Sequence, residues 1–414
     1  MKKIIKTLWQ LFSVVVMLLY LIACLTTYLP SSRFSYAIYF VLGFPYLFVL
    51  AFAVILINIY LYYRRQKDKE ATAADEAGAA EPVQEGATTQ PKPEQNRNKK
   101  RIWWLLLLLL PACKNIGLTF AFHPQQWQMK KNTAALRIMT WNVREFADSI
   151  KQADLAIRRT IEGITEYHPD IVCMQLHYDS VTLQDGQRLS VIKIMDSLGY
   201  PYHRSFYDTY MANGKEHSYT RSAAIYSRLP IDSSGSAATV ATPENVSEFQ
   251  HYRGKVGFVD VKWQNKPLRL YTARWQSRYL YFNSDYRDRR LKQRVYNRFK
   301  YITEAYPSIE EIHQKEAAII RQEMDKSPYP FIFCGDMNGL STSYNCEYLK
   351  GENLQDAFIK GGWGIGATYT YDRFTPILRI DVCLPDKKFK VLQATVAEKS
   401  IAGHYPLISD IDWK

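Results

Sequence analysis

Cysteine is scarce in this chain and carries no pattern. Six cysteines among 414 residues form no CxxC pair and no metal-ligand spacing. Cys24 and Cys113 stand in long apolar runs, and Cys173 and Cys334 in short ones that read as core strands. That is the setting of small buried hydrophobes rather than of a disulfide framework. No repeat of fixed period is visible. No small-residue cleavage site follows the first apolar run, which argues against a cleaved signal peptide. Charge of one sign is not in large excess either. The 53 basic and 40 acidic residues give +13, which permits contact with anionic lipid or phosphate without identifying nucleic acid as a partner.

What is present begins with hydrocarbon. Residues 8–28 and 34–63 are each long enough to cross a bilayer core, which needs roughly 20 residues. Leu29-Pro30-Ser31-Ser32 between them reads as the turn of a helical hairpin occupying residues 1–63. Residues 102–122 read as a third transmembrane helix. Lys114 would cost roughly 2.5–3.5 kcal/mol on insertion, which the six consecutive leucines offset at about −0.5 kcal/mol each. Lys2, Lys3 and Lys6 precede the first run; Arg64, Arg65, Lys67 and Lys69 follow the second; Lys99, Lys100 and Arg101 precede the third. With three spans these charges share one side, which the positive-inside rule makes cytoplasmic. Residues 64–101 then read as a disordered cytoplasmic linker, rich in Ala, Glu, Gln, Thr and Pro. Everything past about residue 123 would be extracytoplasmic; without a third crossing it would be cytoplasmic.

From residue 134 to 414 short apolar runs alternate with helical spacing. Strands are predicted at residues 136–141, 171–175, 222–226, 257–263, 268–273, 329–334 and 391–396, and helices at 154–167 and 310–324. Many strands with few long helices suggest two packed sheets with helices outside.

Several of these runs end in polar residues. Gly335-Asp336-Met337-Asn338 follows Pro330-Phe331-Ile332-Phe333-Cys334, delivering an acid and an amide to a strand end, where layered α/β folds place chemistry. Thr140-Trp141-Asn142, Asp170-Ile171-Val172-Cys173-Met174-Gln175, Arg379-Ile380-Asp381 and His404-Tyr405-Pro406 complete a consistent order. On these five segments the chain resembles the endonuclease/exonuclease/phosphatase superfamily, over roughly two-thirds of its length. Spans placed before the domain look like a bacterial membrane-anchored branch. The resemblance implies an α/β, four-layer αββα sandwich of the DNase I type, preceded here by three transmembrane helices. It also implies Mg²⁺- or Mn²⁺-assisted phosphoester hydrolysis at a cytoplasmic membrane. In that scheme Asn142 helps hold the metal with Asp336, and Asp336 orients or activates the attacking water. Asn338 steadies a phosphoryl oxygen, Asp381 supports the metal or the histidine, and His404 contacts phosphate.

Three positions depart from the family pattern. Leu176 stands where a metal-binding glutamate follows the second strand. Arg274 stands in the histidine place of an Asn-Thr-His-Leu type segment. Ala402-Gly403-His404 replaces Ser-Asp-His. Leucine offers no oxygen to a hard cation, arginine does not deprotonate, and Gly403 cannot fix the histidine's tautomer. The expectation is a catalytically impaired protein that binds a phosphorylated ligand, with metal weak or lost; the alternative is an active phosphoesterase or nuclease using substitute ligands. Arg274 would either grip phosphate or pair with Asp336 or Asp381. His177 and Asp179 could substitute as ligands, or form a solvated loop. Residues 279–301 mix aromatic and basic side chains, read as a solvated face near a bilayer; nucleic acid is not expected as a partner.

Overall fold

The structure is a computed structural model that describes residues 2–78, 102–124, 127–132, 134–146, 150–212, 215–241, 252–277, 306–370, 378–401 and 403–414. It divides into two compact units, Met1–Thr27 with Tyr39–Ile116, and Tyr28–Ile38 with Gly117–Lys414.

In the first unit, α1 (Lys2–Leu25) and α2 (Ala37–Gly78) are, among the described residues, the two helices long and apolar enough to cross a membrane, over Lys3–Tyr28 and Ala37–Thr72. The expected third transmembrane α-helix is not formed. Ile102–Ala112 is a 3-10 helix, continued by the short α3 (Cys113–Thr119). The run nevertheless follows the other helices from end to end. Trp103 Nε1 donates to Tyr63 OH at 2.8 Å, Tyr20 OH to Leu109 O at 3.2 Å, and Thr27 Oγ1 to Asn115 Oδ1 at 3.0 Å. The predicted linker is also shorter than expected. α2 extends to Gly78, because residues 64–78 are mostly strong helix formers. Residues 79–101 lie outside the described part.

The second unit is a sandwich. Its strands are β1 (Ala121–Phe122), β2 (Leu136–Asn142), β3 (Ile171–Tyr178), β4 (Ser180–Thr182), β5 (Arg188–Ser190), β6 (Tyr202–Ala212), β7 (Lys215–Ser227), β8 (Ile231–Ala241), β9 (Tyr252–Trp263), β10 (Lys266–Arg274), β11 (Phe331–Asp336), β12 (Trp363–Gly364), β13 (Asp381–Pro385), β14 (Phe389–Val396) and β15 (Leu407–Trp413). The main sheet runs β13-β11-β10-β9-β6-β7-β3-β2-β15-β14, with β8 also on β9. The β6–β9 junction is slight, pairing Thr209 with Arg253 and Tyr210 with Tyr252, and there the sheet folds back on itself. The inner core fills the space between the two layers, with Ile138 and Cys173 on one and Leu270, Ile332 and Cys334 on the other. Three of the cysteines, Cys173, Cys334 and Cys383, are thus core residues, and all six are free thiols.

Helices cover both outer faces. α4 (Ile150–Tyr167) and α5 (Val191–Ser197) pack Ile157, Ile164, Val191 and Met195 against Met139, Val172 and Tyr226. α6 (Tyr306–Asp325) and α7 (Tyr344–Lys350) pack Ala317, Ile320, Met324 and Leu349 against Tyr271, Phe333 and Leu384. A last short helix, α8 (Ala357–Gly361), adds Phe358 to the inner core. At the base of the sandwich Arg137 is bidentate on Asp410, at 2.6 and 2.8 Å, both side chains buried. That pair ties β2 to β15.

Candidate metal and phosphate site

Strand direction brings the predicted residues to one end of the sandwich. β2 ends at Asn142, β10 at Arg274 and β11 at Asp336, with Arg274 and Asp336 register partners in a parallel pair. β13 runs antiparallel to β11, so its first residue, Asp381, faces Asp336. His404 lies just ahead of β15, which is antiparallel to β2.

Asp336 is fully buried and serves as the hub. It accepts from Asn142 Nδ2 at 2.7 Å, from the Asn338 amide at 2.8 Å and from Asn338 Nδ2 at 3.2 Å. The Asn338 contact closes an Asx turn, and asparagine tolerates the φ of +41° found there. Gly335 permits the close approach of β10, since a Cβ there would lie 2.4 Å from Ala273 O. Arg274 Nε is 3.6 Å from Asp336 Oδ2 and makes no hydrogen bond to a described residue. The pairing half of its two readings is therefore realised with Asp336. Asn142 gives its amide nitrogen to Asp336 and accepts the Arg144 N–H at 2.8 Å, so it orients the acid.

Asp381 is the second buried acid. Its Oδ2 lies 3.3 Å from His404 Nδ1, and the Thr368 hydroxyl accepts from the Ile380 and Asp381 amides at 3.0 Å each. Burial pushes the carboxyl up to about 6; the His404 charge pulls it back and nearby Asp336 raises it further. Its Oδ1 is buried with no hydrogen-bond partner among the described residues. Asp336, Asp381 and His404 each present a ligand atom within 4.8 Å of the others. Two carboxylates, one with an orphaned oxygen, and one imidazole fit Mg²⁺ or Mn²⁺. With Nδ1 on Asp381, Nε2 of His404 is left for a ligand.

The departures resolve differently. Gly403 lacks the family's acid, yet the histidine is oriented by Asp381. Gly403 itself has φ +87°, and a Cβ would meet Thr370 O at 2.6 Å, so the backbone needs glycine there. Leu176 is buried at a bulge in β3, with φ +49°, and supplies no oxygen. His177 is not in a solvated loop. It is fully buried, 3.2 Å from Ser222 Oγ and 2.8 Å from Tyr226 OH, and burial drives its pKa down to about 4. Asp179 accepts from Ser205 Oγ at 2.8 Å and from Tyr207 OH. Neither belongs to the ligand group. Residues 279–301 lie outside the described part.

The sequence reading passed over Glu316. It is fully buried on α6, accepting the Gln276 amide at 3.0 and 3.2 Å, near Arg274 and Asp208. Its signal was an acid on the apolar stripe between Ile312 and Ile320. Burial pushes it up to about 8; the Gln276 N–H and Arg274 act against the rise, and Asp208 adds to it. The folded state therefore keeps a proton that the unfolded chain loses above its ordinary value of 4.5. Stability falls as pH rises through that window and levels off above about 8. In Glu316→Gln this fall, about 1.4 kcal/mol per pH unit, disappears, read as a flatter thermal midpoint between pH 5 and 8.

Solved structures to which the chain is similar include an endonuclease/exonuclease/phosphatase from Beutenbergia cavernae, 15% identical over 68% of this chain and 72% of that one, with a TM-score of 0.47. The human Nocturnin catalytic domain with bound sulfate is 14% identical over 69% and 97%, at 0.44. A Bacteroides thetaiotaomicron mannosyl-6-phosphatase is 14% identical over 67% and 100%, at 0.43. No curated protein matches the chain. The model of the endonuclease/exonuclease/phosphatase family matches residues 139–400, and the chain belongs to that family.

Proposed function

We propose that this protein binds a phosphate ester through a divalent cation held by Asp336, Asp381 and His404, with Arg274 facing the phosphate, and hydrolyses it slowly or not at all. The orphaned Oδ1 of buried Asp381 carries the reading, because a buried carboxylate oxygen without a partner is costly unless something binds it. When bound, the cation neutralises charge on the phosphate. Arg274 adds a donor that suits phosphate oxygens. Turnover is weak because Leu176 gives no oxygen ligand and Arg274 cannot accept a proton. The second reading, a working phosphoesterase, is favoured by one observation: the His404–Asp381 pair keeps the histidine oriented without an acid at 403.

The protein is membrane-anchored in this reading. Tyr28–Ile38, the turn joining α1 to α2, belongs to the same unit as the sandwich, whereas Arg64, Arg65, Lys67 and Lys69 lie at the far end of the apolar part of α2. The run from Trp103 beside Tyr63 to Asn115 beside Thr27 carries the chain between those two ends. The basic end is then cytoplasmic and the sandwich extracytoplasmic.

Titration of the full chain in detergent with Mn²⁺ or Mg²⁺, followed by calorimetry and by a bis(p-nitrophenyl) phosphate assay, tests this. Metal binding that is lost in Asp336→Ala, without metal-dependent hydrolysis, is expected. Hydrolysis abolished by Asp336→Ala would establish the second reading, and absence of metal binding would remove both.

A further inference from the structure

Arg274 stands between two carboxylates. On one side Asp336 Oδ2 lies 3.6 Å from its Nε. On the other is Asp208 of β6. The pairing of β6 with β7 shifts register between Tyr207 and Thr209, so Asp208 sits at a bulge, a device that re-aims a side chain. Thr209 then pairs with Arg253 across the slight β6–β9 junction. Gly254 leaves room where Asp208 and Arg274 come together, since a Cβ there would lie 3.6 Å from Arg274 O and 3.9 Å from Asp208 Oδ1. Asp208 also accepts from Arg221 Nε at 2.9 Å. Burial raises its carboxyl above the ordinary value, and Arg221, Arg274 and Lys255 act against that rise. Glu316 is near Arg274 as well, but burial pushes it up to about 8, so it is mostly uncharged near neutral pH. Asp208 is left as the anion on that side of the guanidinium.

The Arg274 guanidinium competes with any cation on Asp336 for one carboxylate. Like charges so close repel, and arginine cannot shed a proton to relieve the repulsion. We propose that Asp208 is a positioning residue for this site: its carboxylate draws Arg274 away from Asp336, which opens Asp336 to a divalent cation and keeps the guanidinium beside it for the phosphate. This rests on the reading above that Asp336 helps hold such a cation. Arg221 tempers the pull, because it shares the same carboxylate.

Calorimetry of the full chain in detergent with Mn²⁺ tests this through a double-mutant cycle. Asp208→Asn keeps the side-chain shape and removes the charge. It should lower Mn²⁺ affinity about 10-fold, within the usual range of coupling between two sites. In an Arg274→Gln background the same substitution should have no effect, because the cation that Asp208 draws away is gone. A role confined to holding Arg221 or the β6–β7 pairing would lower affinity equally in both backgrounds, and that result would overturn the proposal. Arg221→Gln has the opposite sign. With Asp208 released to Arg274, Mn²⁺ affinity should rise several-fold, and a fall would count against the proposal even if Asp208→Asn does not fold. If the native chain binds Mn²⁺ and neither variant moves the affinity, the role of Asp208 fails and the cation site stands. If the native chain binds no Mn²⁺, the cation reading fails and this role with it.

Discussion

Leu176→Glu combined with Arg274→His is expected to raise metal-dependent hydrolysis of bis(p-nitrophenyl) phosphate by about 10²–10⁴-fold over the native chain, the usual worth of one acid–base group or charge-stabilising group. The scaffold around these positions is intact. Asp336 is held by Asn142 and Asn338, and His404 by Asp381. What is missing is an oxygen at 176 and a group at 274 that can exchange a proton. Removing Arg274 also frees Asp336 Oδ2 from a cation 3.6 Å away. The two substitutions act on one unit, so each alone should recover much less than the pair. No gain in the pair would mean that the bulge at Leu176, with its φ of +49°, aims a side chain there away from the site.

Gly403→Asp should do the reverse of what a family pattern suggests. Restoring the acid before the histidine looks like a repair, yet Mn²⁺ affinity should fall about 10–100-fold, as when a partner behind a ligand is lost. At φ +87° an aspartate is strained by about 1–3 kcal/mol. Its Cβ would also be driven against Thr370 O at 2.6 Å, in the loop where the Thr370 amide bonds to Gly403 O at 2.9 Å. His404 moves with that loop, and with it the contact to Asp381. Calorimetry with Mn²⁺ on the variant checks this; unchanged affinity would show that the loop is free to adapt.

Much of the fold was legible where apolar runs are long and end abruptly. The strands ending at Asn142, Arg274 and Asp336, and the helices Ile150–Tyr167 and Tyr306–Asp325, follow from periodicity alone. β6 and β8 were not visible, because Tyr202–Ala212 is polar and aromatic and Ile231–Ala241 is rich in serine and alanine. In the site, the residue types were readable but their partnerships were not. Asp381 and His404 stand 23 positions apart, and only the turn into β15 brings them together. The residues beside His404 in sequence offer no acid to hold its tautomer, so its partner Asp381 could not be read from the motif. Apolar length alone likewise suggested one α-helix over residues 102–122, whereas Ile102–Ala112 is a 3-10 helix followed by the short α3.

The proposed function requires a divalent cation held by Asp336, Asp381 and His404. Pulsed EPR of the full chain loaded with one equivalent of Mn²⁺ tests it directly. A histidine nitrogen coupling to the manganese, absent in His404→Gln and lost with the bound ion in Asp336→Ala, is the predicted result. A tightly bound manganese with no nitrogen coupling, or one that persists unchanged in both variants, would contradict it.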